Sequence, residues 1–138
     1  MRESLLAWWA CDDGSMAAEE IDVDVARAMW DVGDLVVDVR TPDEYAHGHI
    51  AGSVNIPLDR IAVRAAELPP GQVVAVCSMG NRSRRGAEAF ARTGRDAFSM
   101  RGGTKAWARA GLPIVTGAEP RDRHRSSVFR RLRDRLGR

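Results

Sequence analysis

The chain is poor in the residues that cross-link small scaffolds. Its two cysteines, Cys11 and Cys77, show no paired spacing, which excludes a disulfide framework and a thiolate zinc site and leaves no metal or cofactor to be expected. A reducing, cytoplasmic setting follows as the expectation. Long apolar runs are also missing. The early run from Leu5 to Cys11 passes straight into Asp12-Asp13, too short for a membrane span of about 20 residues and poorly flanked for a secretory signal. A lipoprotein reading of Cys11 lacks the leucine expected three residues earlier. Aromatic residues make up only 6%, and no internal repeat is visible. What remains is an ordinary soluble composition, 44% apolar over 138 residues, enough for one domain with a buried core.

Charge is unevenly placed. Residues 117–138 hold eight arginines against Glu119, Asp122 and Asp134, an excess of +5, so residues 1–116 carry −3 within the overall +2. In that tail Val128, Phe129, Leu132 and Leu136 fall at helical spacing among arginines. This outlines a basic amphipathic helix over 126–138 that suits an acidic partner, a membrane surface or a nucleic acid; the competing reading is a solvated, frayed end.

The chemistry concentrates around Cys77. Val73-Val74-Ala75-Val76 is apolar on both faces and bounded by Pro69-Pro70-Gly71, the pattern of a buried parallel strand. Cys77 then sits at its carboxyl end, where loops and helix N-termini converge in open α/β sheets. The N–H groups of Ser78, Met79, Gly80, Asn81, Arg82 and Ser83 would ring its sulfur at the positive end of the next helix, lowering the thiol pKa from an unperturbed ~8.5. Arg82 would lower it further if its side chain folds inward. A lone cysteine is often just a small buried hydrophobe. With Gly80, Arg82 and Ser83 attached, the nucleophile is the stronger reading.

In chain order, Leu5, Leu6, Trp8 and Trp9 outline a turn of helix. Asp22 is placed to cap a helix with Val25, Ala28 and Met29 on one face and Gly33 as its stop. Leu35 to Val39 is a buried strand. Thr41-Pro42-Asp43-Glu44 combines an N-cap threonine, a proline at the first helical position and a glutamate three residues after the cap. Ser53 to Ile56 is a short strand, Leu58 to Leu68 a helix, Ser83 to Thr93 another, Ala97-Phe98 a strand and Thr104 to Ala110 a last helix. The alternation predicts a parallel sheet with helices on both faces.

Asp38-Val39-Arg40, Glu44-Tyr45 with Gly48-His49-Ile50-Ala51-Gly52-Ser53-Val54-Asn55-Ile56-Pro57, Cys77 through Ser83, and Gly102-Gly103-Thr104-Lys105-Ala106-Trp107 with Ala110-Gly111-Leu112-Pro113 stand in the order of four family motifs. Together they resemble the single-domain rhodanese (sulfurtransferase) family over roughly residues 20–116. The resemblance implies a rhodanese-like α/β fold with a five-stranded parallel sheet flanked by helices, an N-terminal extension over 1–19 and a basic tail over 117–138. It also implies a Cys77 persulfide that takes sulfur from a small anionic donor such as thiosulfate and gives it to cyanide or a thiol. Arg82 matches the loop arginine and would orient the donor. Asp38 and Arg40 match positions that shape the sheet edge, as a structural pair or as support for the site. His49 fits a packing or hydrogen-bonding role better than that of a base.

Two other readings stay open. One is a non-enzymatic rhodanese-fold interaction module. The other is a phosphatase or arsenate reductase of the same fold, whose relatives place five residues between cysteine and arginine where this chain has Ser78, Met79, Gly80 and Asn81. A cysteine–histidine protease is more distant, because one cysteine and scattered histidines occur by chance in many chains.

Overall fold

In the computed structural model, which describes residues 18–118, strands and helices alternate. The elements are β1 (Glu19–Ile21), α1 (Val23–Asp31), β2 (Leu35–Asp38), α2 (Pro42–His47), β3 (His49–Ile50), β4 (Val54–Asn55), α3 (Ile61–Arg64), β5 (Val73–Val76), α4 (Asn81–Arg92), β6 (Ala97–Met100), α5 (Gly103–Arg109) and β7 (Ile114–Val115). Five strands form one sheet in the order β1-β6-β5-β2-β4, every pair parallel. The helical segments suggested for the first residues and for 126–138 lie outside the described residues. No helix among the described residues is long and apolar enough to cross a membrane.

The alternation of side chains along the central strands builds a core on each face. Val73 and Ala75 of β5 join Leu35 and Val37 of β2 against Ile61, Ala65, Ala87 and Phe90 from the α3 and α4 side. Val74, Val76 and Val36 point the other way, to Ala26 of α1 and Trp107 of α5. Apolar residues in succession are therefore required on β5, since both faces are covered. Trp107 is fully buried, meets Trp30 edge to face with centroids 5.6 Å apart, and donates its indole N–H to Pro113 O at 2.9 Å.

Several local expectations need correction. On α1, Ala26 is the buried residue, while Val25 and Ala28 face solvent. Asp22 stands at the N-cap without a capping bond, and its carboxylate takes Nη1 of Arg101 at 2.7 Å instead. The helix expected over 58–68 is broken into a 3₁₀ turn (Leu58–Arg60), the four residues of α3 and a second 3₁₀ turn (Ala65–Glu67). Arg95 reaches across to the carbonyls of Ala65, Leu68 and Pro69 at the end of this segment, supplying donors that a broken helix leaves wanting. Strand β1 and the small antiparallel pair β3–β7 carried no readable pattern, being three residues and two residues long.

The sheet order places the site. From β2 the chain moves outward to β4, whereas from β5 it moves the opposite way to β6, so the carboxyl ends of β2 and β5 flank the point where the winding reverses. A crevice opens at such a point because the connections leave on opposite sides. Val39-Arg40 follows one strand and Cys77-Ser78 the other.

Candidate functional site

Cys77 leaves β5 at that edge and is 1% exposed. The backbone N–H of Gly80 donates to Sγ at 3.0 Å and that of Ser83 at 3.4 Å. Two features turn the loop inward. Gly80 adopts φ +108°, a left-handed conformation open to glycine, and ends the loop as the N-cap of α4. The carbonyls of Cys77 and Ser78 are engaged by the N–H groups of Thr104 (2.7 Å) and Lys105 (3.2 Å) at the start of α5. In a trans peptide the N–H opposes the C=O, so tying these carbonyls to α5 turns the loop N–H groups of Ser78 and Met79 away from it.

Burial pushes the Cys77 thiol up. The Ser83 hydroxyl and the backbone N–H groups of Ser83, Gly80 and Met79 outweigh it, and the net pKa lies below that of an ordinary thiol. The Ser83 hydroxyl has one proton and several claimants. Its oxygen lies 3.1 Å from Gly80 O and 2.7 Å from Ser99 Oγ on β6, with both serines fully buried. With Ser99 donating to Ser83, the single Ser83 proton is left to serve Gly80 O, to which it donates at 3.1 Å, or a Cys77 thiolate. Ser99 is a site residue that the sequence reading missed, because only the pairing of β6 with β5 brings it there. Ser83→Ala is expected to raise the Cys77 pKa and slow alkylation at neutral pH. Iodoacetamide kinetics across pH would show this as a shift of the inflection upward; an unmoved inflection would remove Ser83 from the thiol's environment.

Arg82 does not fold onto the sulfur. Its Nη1 and Nη2 donate to Oε1 and Oε2 of Glu44 at 2.8 and 2.9 Å, a bidentate pair at the rim of the site, and the bonds to Sγ come from the backbone. Glu44 also closes the capping box of α2, accepting from Thr41 N. The sequence marked Glu44 as a cap and as part of a family motif, without a partner in the Cys77 loop. The Arg82 guanidinium, reinforced by Thr41, holds the Glu44 carboxyl down to about 2 from the usual 4.5. Because the folded pKa is depressed, the pair's contribution is complete above pH 4.5 and is lost as the pH falls toward 2. Both partners are more than a third exposed, so the loss in stability is expected to be small. A carboxyl resonance titrating near 4.5 in an NMR pH series would mean that Arg82 does not hold Glu44.

Asp38 and Arg40 form a buried pair: Nη2 reaches Oδ2 at 2.7 Å, Nε reaches both oxygens, and Nη2 also donates to Gly48 O. Asn55 ties the carbonyls of Asp38 and Arg40 together from β4. These bonds shape the edge beside Cys77 and leave the Asp38 side chain without exposure. His49 stacks on Tyr45 at 3.6 Å, and its Nδ1 bonds Tyr45 O at 2.7 Å. Ser78 is half-buried, Met79 is 63% exposed and Asn81 is also exposed at the mouth of the loop. Among the described residues, no group of three or more histidine, cysteine or acidic side chains could hold a metal ion.

Comparison with known proteins identifies the family of the fold. A model of the Rhodanese-like domain matches residues 22–110. A sulfurtransferase of Allochromatium vinosum is 39% identical over 100 residues, spanning 70% of this chain and 94% of its own length. The thiosulfate sulfurtransferase GlpE of Pseudomonas aeruginosa is 37% identical over 103 residues, 72% of this chain and 92% of its own. Among solved structures, a rhodanese-related protein from Thermoplasma volcanium superposes with a TM-score of 0.64 at 28% identity, over 70% of this chain and 97% of its own. With the buried cysteine, the N–H groups of Gly80 and Ser83 on its sulfur and the five-stranded parallel sheet in place, the chain belongs to the Rhodanese-like domain family.

Proposed function

We propose that the protein is a sulfurtransferase that carries sulfane sulfur on Cys77. The observation that carries this reading is the convergence of backbone N–H groups on a buried thiol with no histidine partner among the described residues. The names of the relatives, sulfurtransferase and thiosulfate sulfurtransferase, point the same way. In the first half-reaction the Cys77 thiolate attacks the outer sulfur of thiosulfate. A new S–S bond forms at Sγ, the bond to the sulfite sulfur breaks with its electron pair, and sulfite leaves. In the second, cyanide or a thiolate attacks the terminal sulfur of the Cys77 persulfide, and the electron pair of the broken S–S bond returns to Sγ. The N–H groups of Gly80 and Ser83 stabilise the thiolate that starts one step and ends the other. Arg82 is the cation at the rim for the anionic donor and can meet it only by sharing or releasing Glu44. Asp38 and Arg40 support the edge from below. The domain responsible would span about residues 20–116, with the basic tail outside it, and a reducing cytoplasm would keep the thiol free.

The phosphatase or arsenate reductase reading is disfavoured by loop size. With four residues between Cys77 and Arg82, the N–H groups close on Sγ itself, a ring suited to one added sulfur atom rather than a tetrahedral oxyanion. Steady-state assays separate the chemistries: thiocyanate should form from thiosulfate and cyanide, and p-nitrophenyl phosphate should not turn over above background. Phosphatase turnover without thiocyanate formation would reverse the assignment, and neither activity would favour the interaction module.

A further inference from the structure

Beside the loop, between α4 and the segments at 39–41 and 57–59, runs a groove of about 560 Å³. Pro57, Leu58 and Ala89 give it apolar surface, and Arg82, Arg85 and Arg92 line it with charge. Positions 82, 85, 89 and 92 follow the three-and-four spacing that puts side chains on one helical stripe, about 15 Å long at the α-helical rise. The three cations are not equivalent. Arg82 is held by Glu44, whereas Arg85 and Arg92 are exposed and make no ion pair among the described residues. Asp59 also lines the groove and offsets part of the charge, but a net positive excess remains.

Arg85 and Arg92 lie seven residues apart, about 10 Å along the helix, a span that suits two separated carboxylates better than one small anion such as thiosulfate or phosphate. An extended acidic segment matches the spacing, since carboxylates a few residues apart at about 3.3 Å per residue can meet both guanidiniums while aliphatic stems cover the apolar surface. One end of the groove is Arg82, and the next residue, Ser83, donates its N–H to the Cys77 sulfur. We propose that this groove docks an acidic segment of a thiol-bearing acceptor protein and so presents the acceptor's cysteine at the Cys77 loop. This rests on the sulfurtransferase reading above. In the step it serves, the acceptor thiolate attacks the outer sulfur of the Cys77 persulfide. The Sγ–S bond breaks with its electron pair going to Sγ, a new S–S bond forms on the acceptor, and the acceptor's thiol proton passes to solvent, so no oxidant is consumed.

The test measures transfer from thiosulfate to cyanide, to a synthetic peptide with glutamates flanking its cysteine, and to the same peptide with lysines, using the full chain and an Arg85→Glu/Arg92→Glu variant whose fold is checked by circular dichroism. The KM for the acidic peptide is expected to rise about tenfold in the variant while cyanide turnover stays within about twofold. The unaltered chain should prefer the acidic over the lysine peptide, and roughly 0.5 M salt should erase that preference. Equal KM values for the two peptides in the unaltered chain would overturn the proposal, as would a parallel loss of cyanide and peptide turnover in the variant. So would stronger inhibition of peptide turnover by a single-stranded oligonucleotide than by a thiol-free acidic peptide, which would make the groove a nucleic-acid surface. Cyanide turnover without peptide discrimination fails the groove alone, whereas no cyanide turnover in the unaltered chain fails the sulfurtransferase reading and the groove's role with it.

Discussion

Cys77→Ser is expected to lower thiocyanate formation by at least about 10³-fold while leaving the fold in place. In the proposed reaction the transferred sulfur has to be held on an atom that is both a good nucleophile and a good leaving group, and a serine oxygen is neither at neutral pH. The loop's N–H groups cannot compensate, because they stabilise an anion that serine does not form. The structural cost is small by comparison. A hydroxyl is slightly smaller than a thiol and can accept the same N–H groups from Gly80 and Ser83, which now sit 3.0 and 3.4 Å from Sγ. An unchanged far-ultraviolet spectrum and a nearly unchanged urea midpoint, alongside lost turnover, would separate chemistry from folding. Retention of more than about a tenth of the activity would assign the chemistry to another group.

Gly103→Ala is the second large effect, and it acts without touching the sulfur. Gly103 opens α5 at φ +62°, and a Cβ there would lie 2.3 Å from Cys77 O and 2.5 Å from Ser78 O. These are backbone atoms, so no side-chain rotation relieves the clash. Either α5 or the loop must move. The carbonyls that would be displaced are the ones Thr104 and Lys105 hold, so the loop loses the contact that orients its N–H groups. Overpacking of this kind costs about 1–3 kcal/mol in stability. A shift of about 1 Å in a positioned group can cost about 10²-fold in rate. Together they predict a folded but destabilised protein with turnover reduced roughly a hundredfold, and a Cys77 pKa moved back up toward that of an ordinary thiol. Urea denaturation and the pH profile of alkylation read the two parts separately. Wild-type kinetics in this variant would mean that the α5 contact does not organise the loop.

The parts of the fold legible in sequence are those fixed by local pattern. The continuous apolar run Val73–Val76 is a strand buried on both faces, and Thr41-Pro42-Asp43-Glu44 forms the capping box that its residues spell out. What escaped depends on tertiary contact. Val25 and Ala28 share a helical face with Met29, yet α1 buries Ala26, because the position of the sheet decides which stripe turns inward. Leu58 to Leu68 has helical spacing, but the segment breaks into 3₁₀ turns and Arg95, distant in sequence, satisfies its carbonyls. The same division runs through the site. The loop from Cys77 to Ser83 can be read as a unit, whereas Ser99, Gly103 and the second role of Glu44 exist only once β6, α5 and α2 are brought beside it. Arg82 shows the limit most clearly: its identity suggests an inward cation, and its actual partner lies 38 residues away.

The central claim is that Cys77 stores one transferable sulfur atom. Mass spectrometry of the intact protein and of its Cys77 peptide, before and after incubation with thiosulfate, tests it directly. One added sulfur atom on the Cys77 peptide, removed again by cyanide and absent in Cys77→Ser, is the expected result. An unmodified Cys77 peptide after thiosulfate, or a sulfur adduct that cyanide does not remove, would contradict it.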